Sequence, residues 1–226
     1  MDWNAIVLSA KLSLCTATLL LICGLPIAWW LATTRWRGRI FAEAIVALPL
    51  VLPPTVLGFY VLIGLGPQSL LGNWYEALTM RVLPFSFPGL LIASVLYSLP
   101  FAVQPFTAAF RGVDPLLISA SLNVGASPWR TFWRVTLPLA WPGILAGIVL
   151  SFAHTLGEFG VVLMVGGNIP GETRTVSIAI YDHVQSLDYA AAGRTSFFLL
   201  CVSFVVLSVT YALQRNFRLS PLLNPK

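Results

Sequence analysis

Apolar residues run in long blocks along this chain instead of alternating with polar ones, and five blocks are long enough to cross a bilayer as helices. A crossing takes about 20 apolar residues. The blocks cover roughly residues 10–32, 40–65, 88–110, 139–165 and 191–213. Between the third and fourth the pattern changes, and "SASLNVGASPWRTFWRVTLPLAWPG", residues 119–143, mixes hydroxyls, arginines and aromatics. Asp114 as a cap, Pro115 at a first helical position and Gly125 as a left-handed stop predict a short helix over 115–124. Leu117, Ala120, Ser121 and Val124 fall along one stripe of it, with Ile118 and Leu122 beside them. The small residues would let another backbone come close.

Ser127-Pro128 repeats the start signal, and Pro138 is expected to end the second short helix. Trp129, Phe132, Trp133 and Thr136 recur at helical spacing, flanked by Arg130 and Arg134. Rings of this kind sit at a membrane interface while guanidinium groups reach headgroup phosphates or a partner's carboxylates. This second helix is expected to lie flat against the inner leaflet. Periodicity alone is equally consistent with an ordinary amphipathic connector.

Composition agrees with the blocks: the 226 residues are 58% hydrophobic and 9% charged, with a mean hydropathy of +0.85. Neither a fixed-period repeat nor a Ser- or Gly-rich linker divides the chain, so 1–226 reads as one integral all-α domain, a polytopic helical bundle. An inverted repeat is not apparent either. The first block exceeds a signal-peptide core and is preceded by Asp2, not by a basic cluster, so it is expected to be retained. Cys15, Cys23 and Cys201 fall inside spans without ligand spacing and read as packing residues.

Charge then orients the bundle. Arg35, Arg37, Arg39, Arg111, Arg130, Arg134, Arg215, Arg218 and Lys226 place nine basic residues on one side, against four, Lys11, Arg81, Arg174 and Arg194, on the other. Basic loops stay cytoplasmic, which predicts an outer N-terminus, an inner C-terminus and a cytoplasmic 111–138 loop. The sequence pI of 9.4 thus reports topology and not nucleic-acid binding.

Two spans carry polar or helix-breaking residues. "LPLVLPPTVLGFYVL", residues 48–62, holds Pro49, Pro53 and Pro54, each removing a helical hydrogen bond. Freed carbonyls need shielding by protein or water, so this segment is expected either to pack as a kinked helix or to line a pore, with Thr55, Gly58 and Tyr60 nearby. In "HTLGEFG", residues 154–160, Glu158 lies roughly 28 Å from the inner start at Leu139, towards the outer end. A buried acid is functional or paired. The plain account is a mutual hydrogen bond between His154 and Glu158, one turn apart, or an Arg partner. A metal site lacks a third ligand, and neither a nucleophile elbow nor a phosphate loop is present, so no catalytic residue is expected and ATP hydrolysis by this chain is excluded. Outside, "GGNIPGETRT", residues 166–175, offers Asn168, Thr173, Arg174 and Thr175 to an oxyanion or a docking protein, or else simply makes turns.

Ser119-Ala120-Ser121, Gly125-Ala126-Ser127-Pro128-Trp129-Arg130 and Leu137-Pro138 resemble the cytoplasmic loop signature of permeases from binding-protein-dependent ABC importers. That pattern begins Glu-Ala-Ala, so Ser119 stands at the glutamate and Ser121 at the second alanine. The resemblance implies that the first short helix, with Ser119, Ala120, Ser121, Leu122, Val124, Gly125, Ala126, Ser127, Arg130 and Pro138 in its loop, couples to a separate cytoplasmic ATPase. "LPLVLPPTVLGFY", "LGEFG", "NIPGETRT" and "DYAAAG" further resemble the molybdate branch, whose relatives carry sulfate or tungstate. The implied assembly has two copies of the chain, two ATPase subunits using ATP and Mg, and an external oxyanion-binding protein, set in the bacterial inner membrane. No cofactor is expected on the chain itself. The opposing class is a gradient-driven secondary transporter using His154 and Glu158 as a proton relay.

Overall fold

In this computed structural model, residues 1–219 are described, with side chains through Ala212. The side chains of Arg215 and Arg218, and all of Lys226, lie outside the described residues. The described chain is helical: α1 Trp3–Thr33, α2 Arg39–Val51, α3 Pro54–Leu65, α4 Leu70–Thr79, α5 Phe87–Arg111, α6 Pro115–Asn123, α7 Pro128–Thr131, α8 Leu137–Gly157, α9 Gly160–Gly166, α10 Val176–Gln185 and α11 Tyr189–Leu219. Four helical stretches are long and apolar enough to cross a membrane: α1, α5, Pro128–Gly157 and α11. The bent pair α2–α3 makes a fifth if it counts as one span.

Two of the expected spans are broken. The 40–65 block forms α2 and α3, whose axes differ by 112°. Pro53 and Pro54 explain the break: Pro54 removes a donor and forces its predecessor out of the helical region, and Pro53 takes φ −54° and ψ 137°. The 139–165 block stops at Gly157, turns at Glu158 and Phe159, and resumes as α9. The short α4 and α10 lie outside the apolar blocks.

The core is built by α1, α5 and α8. Phe106 of α5 is fully buried, with Leu20, Ala28 and Leu31 of α1 and Ala140 and Ile144 of α8 in the same cluster. Lipid tails are as apolar as leucine, so helices in a bilayer associate through close packing and not through water exclusion. Gly147 shows that limit. A Cβ there would lie 2.6 Å from Cε1 of Phe106 and 3.0 Å from the carbonyl oxygen of Ala102.

Gly147→Leu is therefore expected to push α8 off α5 and cost about 1–3 kcal/mol. Measured in detergent, the apparent melting temperature should drop by roughly 2–12 °C, and an unchanged midpoint would contradict the packing described.

Candidate functional site

At one end of the bundle α6 meets the core cluster through Ile118. The Asp114 carboxylate accepts from the Leu116 amide at 2.8 Å, and Pro115 opens the helix. Gly125 takes φ +86°, its amide donates to the Leu122 carbonyl at 3.0 Å, and the Ala126 amide donates to the Ser121 carbonyl at 3.2 Å. The two bonds together form a complete left-handed helix stop. None of the residues of α6 is buried. Leu116, Leu117, Ala120 and Val124 face outward, Val124 being 85% exposed. The opposite side is anchored: Ile118 and Leu122 cover a small cavity walled by Trp29, Phe110 and Phe132, and the Ser121 and Thr131 hydroxyls are 2.9 Å apart. Ser121 therefore leaves the outward stripe. Ser119, at the acidic position of the signature, donates its hydroxyl back to the Pro115 carbonyl at 2.9 Å.

Pro138 does not end the second short helix. From Ser127, whose hydroxyl accepts from the Arg130 amide at 3.3 Å, the chain runs through α7 into a π-turn over Phe132–Thr136 and directly on as α8. The Leu137 amide reaches back five residues to the Phe132 carbonyl. The widened turn makes room for the Pro138 ring in the first turn of α8, where its missing donor is tolerated. This segment is accordingly the end of a 30-residue helix, Pro128–Gly157, and not a separate helix lying flat. The aromatic stripe splits, with Thr136 buried and Trp129 and Trp133 exposed.

At the far end of α8 the other candidates meet. Glu158 is 7% exposed, and its Oε1 accepts from the Val161 amide at 2.8 Å. It thus satisfies a free donor in the first turn of α9. Against α9 packs α3: a Cβ on Gly58 would lie 2.8 Å from Cβ of Met164 and 3.3 Å from Cα of Val161. Pro54 packs beside Gly160, while Thr55 and Tyr60 point outward. Pro53, Pro54, Gly58 and Glu158 thus belong to one junction of two broken helices.

His154 is not the partner of Glu158. Its Nδ1 lies 2.9 Å from the Ser98 hydroxyl, which is also 2.9 Å from that of Thr155. The Thr155 hydroxyl donates to the Ser151 carbonyl at 2.9 Å, so satisfying all three contacts requires Ser98 to donate to Thr155 and His154 Nδ1–H to donate to Ser98. The imidazole ring stacks on Phe101 with centroids 3.9 Å apart.

The 166–175 loop is closed by its own groups. Arg174 Nε donates to Asn168 Oδ1 at 2.7 Å, Asn168 Nδ2 donates to Asp182 Oδ2 at 2.7 Å, and the guanidinium lies 3.2 Å from Asp182 and 3.9 Å from Asp2. Thr173 is buried, its hydroxyl accepting from the Ile169 amide at 3.1 Å. Thr175 is 2% exposed. The next amide, of Val176, donates to Ser9 Oγ at 2.8 Å and ties the loop to α1.

The family profile described as "Binding-protein-dependent transport system inner membrane component" matches residues 24–219. The chain belongs to that family. It is 50% identical over 216 residues to the molybdenum transport system permease protein ModB of Azotobacter vinelandii, covering 95% of each chain. It is 35% identical over 212 residues to the ModB of Escherichia coli K12, covering 92% of this chain and 89% of that one. Among solved structures, a bacterial alginate ABC transporter in complex with its alginate pentasaccharide-bound periplasmic protein aligns with a TM-score of 0.73 at 22% identity, over 94% of this chain and 78% of that one. The last likeness shows the fold. As a member of this family, with several apolar spans, the chain is a multi-pass protein of the bacterial inner membrane, and its relatives are permease subunits, not ATPases.

In this permease one further polar group escaped the sequence reading. Arg111, at the end of α5, pairs with Glu43 of α2 and donates to the Leu31 carbonyl of α1 at 3.2 Å. Arg39 also lies 3.3 Å from Glu43. These groups stand at a cleft of about 740 Å³ walled by Ala47, Gln104, Thr107 and Ala108. Glu43 was available as a signal, being an acid among the basic residues assigned to the inner side, but the pairing across 68 positions was not.

Glu158→Gln keeps an acceptor for the Val161 amide and is expected to leave assembly and substrate affinity close to wild type. Glu158→Ala strands a buried amide and should cost about 1–3 kcal/mol, read as a lower melting temperature in detergent. Selective loss of substrate affinity in Glu158→Gln, with assembly intact, would overturn the capping role.

Proposed function

We propose that the chain is the membrane permease of an ATP-driven importer that carries molybdate, delivered from outside by a soluble binding protein. The observation carrying this reading is 50% identity across 95% of a molybdenum transport permease. The whole chain, 1–226, acts as one translocation domain, with the N-terminus outside, the C-terminus inside and the 111–138 loop in the cytoplasm. Two copies enclose the path. Two cytoplasmic ATPase subunits bind ATP and Mg; this chain binds no cofactor and catalyses no hydrolysis.

In this mechanism α6 enters a groove of the ATPase with Leu117, Ala120 and Val124, its capped ends keeping it a rigid lever. Force then has two routes. Ser121–Thr131 leads through the unbroken Pro128–Gly157 helix to the Glu158 junction, and the Gly112–Asp114 connection leads up α5. The junction of α3 and α9 is where a gate would open, because its helices are short and begin on proline or glycine. On the outer face the Asn168, Thr173, Arg174 and Thr175 loop holds α1 and α10 together and presents a formed surface to the binding protein.

Sulfate and tungstate, carried by relatives in the same family, are the alternative substrates. The proton-relay reading is weakened because His154 and Glu158 are each bonded elsewhere.

Labelled molybdate uptake into proteoliposomes holding this chain, a candidate ATPase and the binding protein is expected to require ATP and to resist excess sulfate. Uptake abolished by sulfate would move the substrate, and uptake without ATP would overturn the importer. Gly125→Val, forced into a left-handed conformation that costs about 1–3 kcal/mol, should weaken ATPase association severalfold and lower uptake with it. Full association and uptake in that variant would remove α6 from the coupling route.

A further inference from the structure

The end of the bundle that carries α6 also gathers five of the chain's eight tryptophans. Trp29 and Trp30 lie on the last turns of α1, Trp36 in the loop after it, and Trp129 and Trp133 on the helix that enters α8. All five are exposed, from 43% for Trp30 to 71% for Trp129. They are held in place by one another. Around Phe132 stand Trp29 at 5.1 Å, Trp133 at 5.5 Å and Trp129 at 6.3 Å between ring centroids, and Trp36 folds back to 6.2 Å from Trp30. The end of α1 and the inner end of the long helix therefore form one aromatic rim.

Four arginines interleave with these rings along the chain: Arg35, Arg37, Arg130 and Arg134. All are exposed, and among the described residues none of the four forms an ion pair. The acids of this end are already engaged, Glu43 with Arg39 and Arg111 and Asp114 with the Leu116 amide. The rim thus holds a concentration of permanent positive charge beside exposed indoles. Indoles favour the depth where a ring is in hydrocarbon and its N–H is wet, and a guanidinium meets a phosphate through paired hydrogen bonds.

We propose that this rim is a binding site for anionic phospholipids, with Arg35, Arg37, Arg130 and Arg134 on the headgroup phosphates and Trp29, Trp36, Trp129 and Trp133 against the glycerol and upper acyl carbons. A protein partner fits the rim less well. The surface offered to a protein at this end is the outward face of α6, which is apolar and carries no arginine. The proposal rests on the importer reading only for the leaflet that the rim faces. Because Phe132 joins the rim to α1, α5 and the long helix, an anionic lipid there would brace the base of the lever that α6 drives.

Tryptophan emission of the full chain in mixed vesicles tests this, using phosphatidylglycerol brominated on its acyl chains against phosphatidylcholine brominated in the same way. At equal mole fraction the brominated phosphatidylglycerol is expected to quench more strongly, and salt should flatten the difference. Arg35→Gln/Arg37→Gln and Arg130→Gln/Arg134→Gln should each lower the relative affinity by roughly fivefold for every arginine removed. The Arg130→Lys/Arg134→Lys protein keeps the charge and should keep the preference, which separates lost charge from lost fold. Equal quenching by the two lipids, or a preference that survives both double Gln variants, would overturn the site. Loss of ATPase association in those variants with the lipid preference intact would assign the rim to a protein instead. The assay uses neither ATP nor molybdate, so its failure and the failure of the importer reading are distinguishable.

Discussion

Every backbone amide and carbonyl that lies in hydrocarbon must find a partner within the protein, and the architecture follows from how this chain meets that demand where its helices break. An unbroken helix satisfies itself. At the two breaks it cannot, and each is resolved differently. Between α2 and α3 the residue that opens the new helix is Pro54, which has no donor to satisfy. Between α8 and α9 a carboxylate, Glu158, folds onto the Val161 amide. Those solutions bring α3 and α9 into contact close enough that Gly58 has no room for a Cβ, and so the two breaks become one junction.

The same demand shapes the end of the bundle that carries α6. A proline within a long helix ordinarily kinks or ends it, yet Pro138 sits inside a continuous 30-residue helix because the preceding turn is widened by one residue. Continuity matters mechanically. A hinge at Pro138 would absorb a displacement applied near Thr131, whereas an unbroken helix carries it to Glu158. With α6 fastened by Ser121 on one side and free on the other, it would serve, on the proposed reading, as a lever with a fixed heel and a bare face. An ATPase that pulled on that face would move a rigid rod.

What could be read from the sequence was set by local chemistry. Asp114, Pro115 and Gly125 announced α6 because caps and left-handed stops are decided by the residues themselves. The apolar blocks announced the spans for the same reason. The positions of the breaks were less legible: Pro53-Pro54 signalled disruption, but a bend of 112° depends on what α3 packs against. Glu158 was recognised as costly, while its partner was sought in the neighbouring side chain His154 when it was a backbone amide three residues on. Ser98 carried no local signal, and Glu43 stood out only as an acid among basic residues, with nothing local to name its partner. Their partners lie 56 and 68 positions away, and polar pairing over such distances appears only once the helices are placed. Pro138 was misread because a π-turn is invisible to the usual helix-ending signals.

The distribution of charge has a consequence for selectivity. Arg174, in the 166–175 loop, is shared among Asp2, Asn168 and Asp182, and Arg111 is shared between Glu43 and the Leu31 carbonyl. The acid at the α8–α9 junction is taken up by the Val161 amide. On the proposed reading, an oxyanion entering the path would meet hydroxyls, an amide and already-paired guanidinium groups, all of which hold it weakly. Weak holding suits a conduit, since an ion that is to leave must not be bound too tightly. Discrimination among tetrahedral oxyanions then falls to the protein that delivers them, and the permease contributes a path whose cations are spent on keeping its helices together.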